Sequence, residues 1–207
     1  MNARLPFRFL LVTDRKIGGG NWIDKIAIAV ESGVPAVQLR EKDLSSEELL
    51  RTASQLAEKL KSHPVHLFVN SDVEIAKALG WNLHLSESKI SHISSARKIL
   101  GGKMWIGAST HSLDQARSAQ AQGADYLLFG PVFETPSKKQ FGSPQGLAKL
   151  EEVAHQVSIP VFAVGGITPE RALECRKNGA YGVAVISAIL GASDIAAAVS
   201  AFQREVI

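Results

Sequence analysis

The sequence predicts an α/β protein, a TIM (β/α)8 barrel forming a single domain over residues 1–207. Two observations carry this prediction. Short apolar runs alternate with helical patterns along the whole chain, eight times, with no linker between units. Residues with chemistry stand where those runs end: Gln38-Leu39-Arg40-Glu41-Lys42, Asn70, Ser109-Thr110-His111, Thr135-Pro136-Ser137-Lys138-Lys139, Gly165-Gly166 and Ser187. A barrel gathers its strand-to-helix loops at one face, so it displays a site at many strand ends.

The elements follow in order. Phe7 to Thr13 reads as a buried strand, and Gly18-Gly19-Gly20 as a flexible loop before a helix from about Trp22 to Ser32. Ala36 to Arg40 is the second strand. Ser45 with Glu48 makes a capping-box pattern, in which each side chain satisfies a backbone N–H. The helix that follows carries Leu49, Leu50, Ala53, Leu56, Ala57 and Leu60 at helical spacing. His66 to Asn70 is the third strand, Asp72 to Leu79 a short helix, and Asn82 to Leu85 the fourth strand. A helix is expected around Ser94 to Leu100, and Trp105 to Ser109 is the fifth strand. Ser112 with Gln115 suggests a second capping box, before an alanine-rich helix that ends near Gly123. Tyr126 to Phe129 is the sixth strand.

Gly130 to Gly146 is rich in Pro, Gly, Ser and Lys, and exceeds the usual βα loop of about 2–6 residues. Such loops often close over a site. A helix follows from about Leu147 to Gln156, and Pro160 to Val164 is the seventh strand. Thr168-Pro169 supplies an N-cap and a proline at the first helical position, and Gly179 stops that helix. Gly182 to Ile186 is the eighth strand, and the last helix covers about Ile195 to Glu205.

Composition narrows the function classes. No window reaches the roughly 18 apolar residues of a membrane span, and no cleavable leader pattern opens the chain, so a cytoplasmic protein with no membrane role is expected. The one cysteine, Cys175, agrees with a reducing compartment and reads as packing within a helix. The net charge is only +3, despite a pI near 9.0, and no run of Lys or Arg forms a patch, which argues against nucleic acid. A few basic side chains aimed at phosphate account for the balance. No spacing of His, Cys and carboxylates suggests zinc. A homodimer through the barrel helices is allowed but not indicated.

Gly165-Gly166 and Ile186-Ser187 end the last two strands, where many barrels hold a phosphate. The plainer reading of the two glycines is a tight turn needing positive φ. Arg40 and Lys42, two apart after the second strand, point to one side of an extended segment. Arg suits a bidentate grip on phosphate, and Lys acts as a mobile point charge. Lys138, on the long loop, is placed to close over the same anion. His84 and His111 both end strands and are the candidates for proton transfer. His63, His66, His92 and His155 read as structural.

The chain resembles the thiamine phosphate synthase/TenI family over essentially its whole length. The matching stretches are Leu11-Val12-Thr13-Asp14, Val37-Gln38-Leu39-Arg40-Glu41-Lys42, Phe68-Val69-Asn70, Gly107-Ala108-Ser109-Thr110-His111, Gly123-Ala124-Asp125-Tyr126, Phe129-Gly130-Pro131-Val132-Phe133, Thr135-Pro136-Ser137-Lys138-Lys139 and Val164-Gly165-Gly166-Ile167. The resemblance implies a TIM barrel acting in thiamine biosynthesis. The synthase joins hydroxymethylpyrimidine diphosphate to hydroxyethylthiazole phosphate and releases diphosphate, which Mg2+ holds. By position, Gln38 would meet the pyrimidine, and Arg40, Lys42, Asn70 and Lys138 would grip the diphosphate. Ser109 would lie near the reacting groups. Thr135, Ser137, Gly165, Gly166, Ile186 and Ser187 would bind the thiazole phosphate.

The chain departs from the synthase pattern at the metal. The Asn-Asp that the resemblance implies after the third strand reads Asn70-Ser71, and the Gly-Gln-Glu-Asp after the fourth reads Ser86-Glu87-Ser88-Lys89. Both carboxylates are absent, Ser71 and Lys89 stand in their places, and no metal site is assigned. Asp72 or Glu87 could substitute after a local shift, or Lys89 could replace part of the metal's charge. TenI, the tautomerase of the family, moves a proton and a double bond in a thiazole carboxylate phosphate and needs no diphosphate metal. The histidine that the resemblance associates with that step is here Pro131, so His84 or His111 would have to serve.

Three readings follow. The first is a thiazole-phosphate enzyme of the TenI tautomerase type, because the metal carboxylates are missing. The second is a thiamine-phosphate synthase, a transferase, with Mg2+ required only in that case. The third is a non-catalytic binder of thiazole or thiamine phosphate.

Overall fold

The computed structural model describes residues 5–135 and 143–206. Eight parallel strands close into a barrel in sequence order: β1 (Phe9–Val12), β2 (Ala36–Leu39), β3 (His66–Asn70), β4 (Asn82–Leu85), β5 (Ile106–Thr110), β6 (Tyr126–Phe129), β7 (Val161–Val164) and β8 (Gly182–Val185). The circle closes where Phe9, Leu10 and Leu11 of β1 pair with Val183, Ala184 and Val185 of β8. Barrel strands are covered on both faces, which is why most read as unbroken apolar runs.

Alternation divides these residues between two cores. One face of each strand packs outward under the helices: Phe9, Leu11, Val37, Leu39, Val69, Leu83, Ala108, Leu127 and Val183 share a cluster with helix residues such as Leu56, Ile75 and Phe202. The other face fills the barrel with Leu10, Val12, Ala36, Phe68, Tyr126, Leu128, Phe162 and Ala184. Phe7 closes the N-terminal end, with ring centroids 5.7 Å from both Phe68 and Phe162. Tyr126 lies 5.6 Å from Phe68 and 5.7 Å from Phe162. These rings make an apolar floor, and the polar residues at the C-terminal ends of the strands stand above it.

The outer shell comprises α1 (Arg15–Gly18), α2 (Trp22–Glu31), α3 (Ser46–Leu60), α4 (Val73–Leu79), α5 (Ile93–Leu100), α6 (Leu113–Ala121), α7 (Gly146–Gln156), α8 (Pro169–Lys177), α9 (Ser187–Leu190) and α10 (Ile195–Val206). The Ser45–Glu48 capping box forms: Glu48 N–H donates to Ser45 Oγ at 3.3 Å and Ser45 N–H to Glu48 Oε2 at 2.9 Å. α3 then buries Leu49, Ala53, Leu56 and Leu60, each leucine contributing about 1.5–3 kcal/mol. Thr168 caps α8 ahead of Pro169. Cys175 is buried in α8, its thiol pushed up to about 12 chiefly by burial, as suits packing.

Two local expectations, at Gly18 and at Ser112–Gln115, need correction, and two short turns stand beyond those expected. Gly18 belongs not to a loop but to the single turn α1, which Asp14 starts by accepting from Lys16 N–H at 3.0 Å. The helix after β4 is preceded by a 3-10 helix, Glu87–His92. Ser187 opens the short α9. Ser112 caps α6, but Gln115 Oε1 accepts from His111 N–H at 2.7 Å rather than from Ser112, so no second capping box forms. Among the described residues no helix is long and apolar enough to cross a membrane. The exposed large apolar residues Ile28, Leu50, Ile99 and Leu173 are spread over four different helices.

Candidate functional site

The C-terminal ends of β2 to β5 build a polar cluster one residue type at a time. Gln38 is buried in β2 and donates from Nε2 to Asn70 Oδ1 at 3.2 Å. Its Oε1 is buried and has no partner, an acceptor that awaits an N–H donor in the barrel mouth. Asn70, at the end of β3, passes the network on, donating from Nδ2 to Ser71 Oγ at 3.1 Å. His84 pairs in register with Asn70 on one side and Gly107 on the other.

His84 is the most constrained titratable group. Its Nε2 lies 2.9 Å from Ser109 Oγ and its Nδ1 3.1 Å from the Tyr126 hydroxyl. Burial, with the Arg40 charge adding to it, pushes its pKa down to about 3, so the ring is neutral near pH 7. Burial also raises the Tyr126 phenol well above its usual value. The trio is thus an uncharged hydrogen-bonded chain that sets Ser109 at the barrel mouth. Tyr126 fits there because its neighbour in register is glycine: a Cβ on Gly107 would stand 2.1 Å from Tyr126 Cζ.

Arg40 and Lys42 leave β2 on the segment that also carries Glu41. Glu41 is buried, accepts from Thr13 Oγ1 at 2.6 Å, and takes both the Arg15 N–H and Arg15 Nη1, the latter at 3.3 Å. Thr13 Oγ1 in turn accepts the Arg40 N–H at 2.9 Å. This clasp fixes the backbone from which Arg40 projects. Desolvation lowers the Arg40 pKa, opposed by Asp14 and Glu41, and the nearby Arg40 charge lowers that of Lys42. The two are neighbouring like charges. A cleft of about 380 Å³ opens beside Lys42, lined also by Asn70, Ser71, Asp72, Ser86 and Ser88 among others.

His111 is not brought to His84. Its Nδ1 donates to the Gly130 carbonyl, and its Nε2 lies 3.2 Å from Glu87 Oε2. Both ring nitrogens lie against protein oxygens. Gly165 and Gly166 both take positive φ, 95° and 67°. They also sit under the loop after β6: a Cβ on Gly165 would stand 2.5 Å from Pro131 Cβ, and one on Gly166 2.5 Å from the Glu134 carbonyl. Turn geometry and close approach therefore require both glycines, whether or not an anion binds. Arg171 braces the turn, donating to the Gly166 carbonyl at 2.7 Å and lying over the Phe133 ring at 4.6 Å. Gly166 and Ser187 end adjacent strands, with Ile186 as the N-cap of α9. Thr135 is among the described residues, whereas Ser137 and Lys138 lie outside them.

The residues at the implied metal positions do not fit Mg2+. Mg2+ needs oxygen ligands, usually one or two carboxylates, in a strict octahedron. Here Lys89 Nζ donates to the Ser71 carbonyl at 3.0 Å, so these two positions bring an ammonium and no carboxylate. The nearby carboxylates are engaged. Asp72 caps α4, accepting from Ile75 N–H at 3.0 Å and from Ser46 Oγ at 3.1 Å. Glu87 accepts from Gln115 Nε2 at 2.5 Å and faces His111. Among the described residues no cluster of three or more His, Cys, Asp or Glu could hold a metal.

Sequence reasoning missed Thr13, Tyr126 and Gly107 as parts of this site. The motif stretches contained all three, but nothing local marked them.

The chain is similar to known proteins over most of its length. A family model described as thiamine monophosphate synthase matches residues 9–189. A Geobacter sulfurreducens protein named provisionally as a thiamine-phosphate synthase is 41% identical over 196 residues, covering 93% of this chain and 91% of its own. The thiamine-phosphate synthase of Moorella thermoacetica is 37% identical over 200 residues, covering 96% of this chain and 94% of its own. The solved structure of thiamine phosphate pyrophosphorylase from Pyrococcus furiosus superposes with a TM-score of 0.85 at 32% identity, covering 96% of this chain and 95% of that one.

Proposed function

The chain belongs to the thiamine monophosphate synthase family, and from that premise we propose that it couples hydroxymethylpyrimidine diphosphate to hydroxyethylthiazole phosphate, as a transferase that releases diphosphate. The observation that carries this reading is the Arg40–Lys42 pair, two neighbouring cations just beyond β2, with Lys42 on the wall of a cleft. A tautomerase has no need of such a pair, because its substrate carries no diphosphate.

The geometry also disfavours the tautomerase reading that the missing carboxylates first suggested. That reaction needs a side chain to carry a proton. His84, with its pKa near 3, is a poor base at neutral pH, and both ring nitrogens of His111 lie against protein oxygens. Relatives named as synthases lean the same way.

In the coupling, the bond between the pyrimidine methylene and the diphosphate oxygen breaks, the diphosphate leaving with the electron pair. The thiazole nitrogen then bonds the methylene carbon. Charge grows on the leaving group, and preorganised cations at that spot lower the barrier most. Arg40 takes the diphosphate through its planar fork and Lys42 as a point charge. Gln38 Oε1 accepts from an N–H on the pyrimidine, and Asn70 holds Gln38 in place. Ser109, set by His84, lies beside the reacting carbon. The turn at Gly165-Gly166, with Thr135, Ile186 and Ser187, receives the thiazole phosphate, and Ser137 and Lys138 act from the loop. A reducing cytoplasm suits a chain with one buried cysteine.

The test is incubation of both substrates with and without Mg2+, reading thiamine phosphate by mass spectrometry. Product supports the transferase. No product under either condition, with isomerisation of the thiazole carboxylate phosphate instead, would restore the tautomerase. Binding of the thiazole phosphate without either reaction would favour a binder.

A further inference from the structure

The diphosphate end of this site carries an ammonium group where the family resemblance places a carboxylate. Lys89 extends from the 3-10 helix after β4 and donates from Nζ to the Ser71 carbonyl at 3.0 Å. Ser71 is held from every side. Its N–H donates to the His84 carbonyl at 2.8 Å, and its Oγ accepts from Asn70 Nδ2 at 3.1 Å. It is the one non-glycine residue with positive φ among those described, at 61°. A left-handed serine persists only where its surroundings fix it, and such residues gather at functional sites. The carbonyl so presented takes an ammonium as its partner.

Ser71 lines the same cleft as Lys42, Asn70, Ser86 and Ser88. Through that bond the Lys89 amine is anchored on a residue of the cleft wall. An ammonium and a divalent ion repel one another and compete for the same oxygen, so the two are alternatives at this point. The carboxylates that would draw a divalent ion are absent or engaged: Asp72 caps α4, and Glu87 is bound by Gln115.

We propose that Lys89 Nζ, fixed on the Ser71 carbonyl, is the resident cation of this cleft, and that with Arg40 and Lys42 it lets the chain bind diphosphate without a divalent metal. The proposal rests on the coupling reading above and gives it a metal-independent form. Lysine serves as a compact, strongly hydrated point charge, a closer stand-in for a small cation than the planar guanidinium.

The experiment is calorimetric titration of inorganic pyrophosphate into the intact protein, in EDTA and then in Mg2+, with the coupling assay run beside it. The unaltered protein should bind pyrophosphate in EDTA. Lys89→Ala, a change at an exposed position that should leave the fold intact, should weaken that binding at least about tenfold, and Lys89→Arg should restore part of it. The double change Ser71→Asp with Lys89→Asp should instead make binding depend on Mg2+. Equal affinity for the unaltered protein and Lys89→Ala in EDTA would overturn the proposal. So would binding and thiamine phosphate formation that require Mg2+, although the coupling reading would then stand. No pyrophosphate binding and no coupling under either condition would overturn both.

Discussion

The Tyr126 hydroxyl lies 3.1 Å from His84 Nδ1, on the far side of the ring from Ser109. One phenol therefore sets the imidazole that sets the serine. Tyr126 touches no substrate in this arrangement and acts as a positioning residue. Tyr126→Phe removes the partner of a buried nitrogen, and a loss of about 1–3 kcal/mol in stability is expected by urea denaturation. If the hydroxyl also orients Ser109, kcat for coupling should fall while KM for the two substrates stays within about twofold. A change in stability alone would leave Tyr126 with a purely structural role.

Gly107 makes room for that phenol. A Cβ there would stand 2.1 Å from Tyr126 Cζ, inside a closed barrel that cannot yield freely. Gly107→Ala should cost about 1–3 kcal/mol through overpacking and displace the ring. Combined with Tyr126→Ala, which empties the space, the alanine should cost much less than it does alone. Additive losses in thermal denaturation would show that the two positions do not compete.

His84 makes stability depend on pH with a definite sign. Its folded pKa is depressed to about 3 by burial and the Arg40 charge, whereas an unfolded histidine titrates near 6.5. Above about 6.5 both states are neutral and the contribution is complete. Below it the unfolded chain takes a proton that the folded chain refuses, so stability falls as the pH drops from 6.5 toward 3. Between pH 7.0 and 5.5 the unaltered protein should lose about 1 kcal/mol more than His84→Asn, at up to about 1.4 kcal/mol per pH unit. Equal losses would mean that the folded ring accepts the proton.

The strand ends were legible in the sequence because their cause is local. A strand covered on both faces shows as an apolar run, and the polar residue that breaks the run marks the mouth of the barrel. Gln38, Asn70, His84 and Ser109 were found this way, and the structure brings them together. What stayed hidden lay where the partner is distant in sequence. Gly107 is explained only by a ring from the next strand, Glu41 by Thr13 and Arg15 across from it, and Lys89 by the Ser71 carbonyl. His111 ended a strand as His84 did, yet Glu87 and Gly130 bind it, and no local spacing announces that.

Thr13 is the last link between fold and anion site. Its hydroxyl donates to Glu41 Oε1 at 2.6 Å and accepts the Arg40 N–H at 2.9 Å, joining β1 to the backbone that carries the first cation. Thr13→Val keeps the shape and deletes both bonds. It leaves a buried carboxylate short of one donor and a backbone N–H short of its acceptor, so about 1–3 kcal/mol should be lost in urea denaturation. With its backbone unpinned, Arg40 should hold diphosphate less well, raising KM for the pyrimidine diphosphate several-fold while KM for the thiazole phosphate, which we propose binds near β7 and β8, stays level. Thr13→Ser keeps the hydroxyl and should restore both properties. A rise in both KM values together would mean that the substitution disturbs the whole barrel mouth, not Arg40 alone.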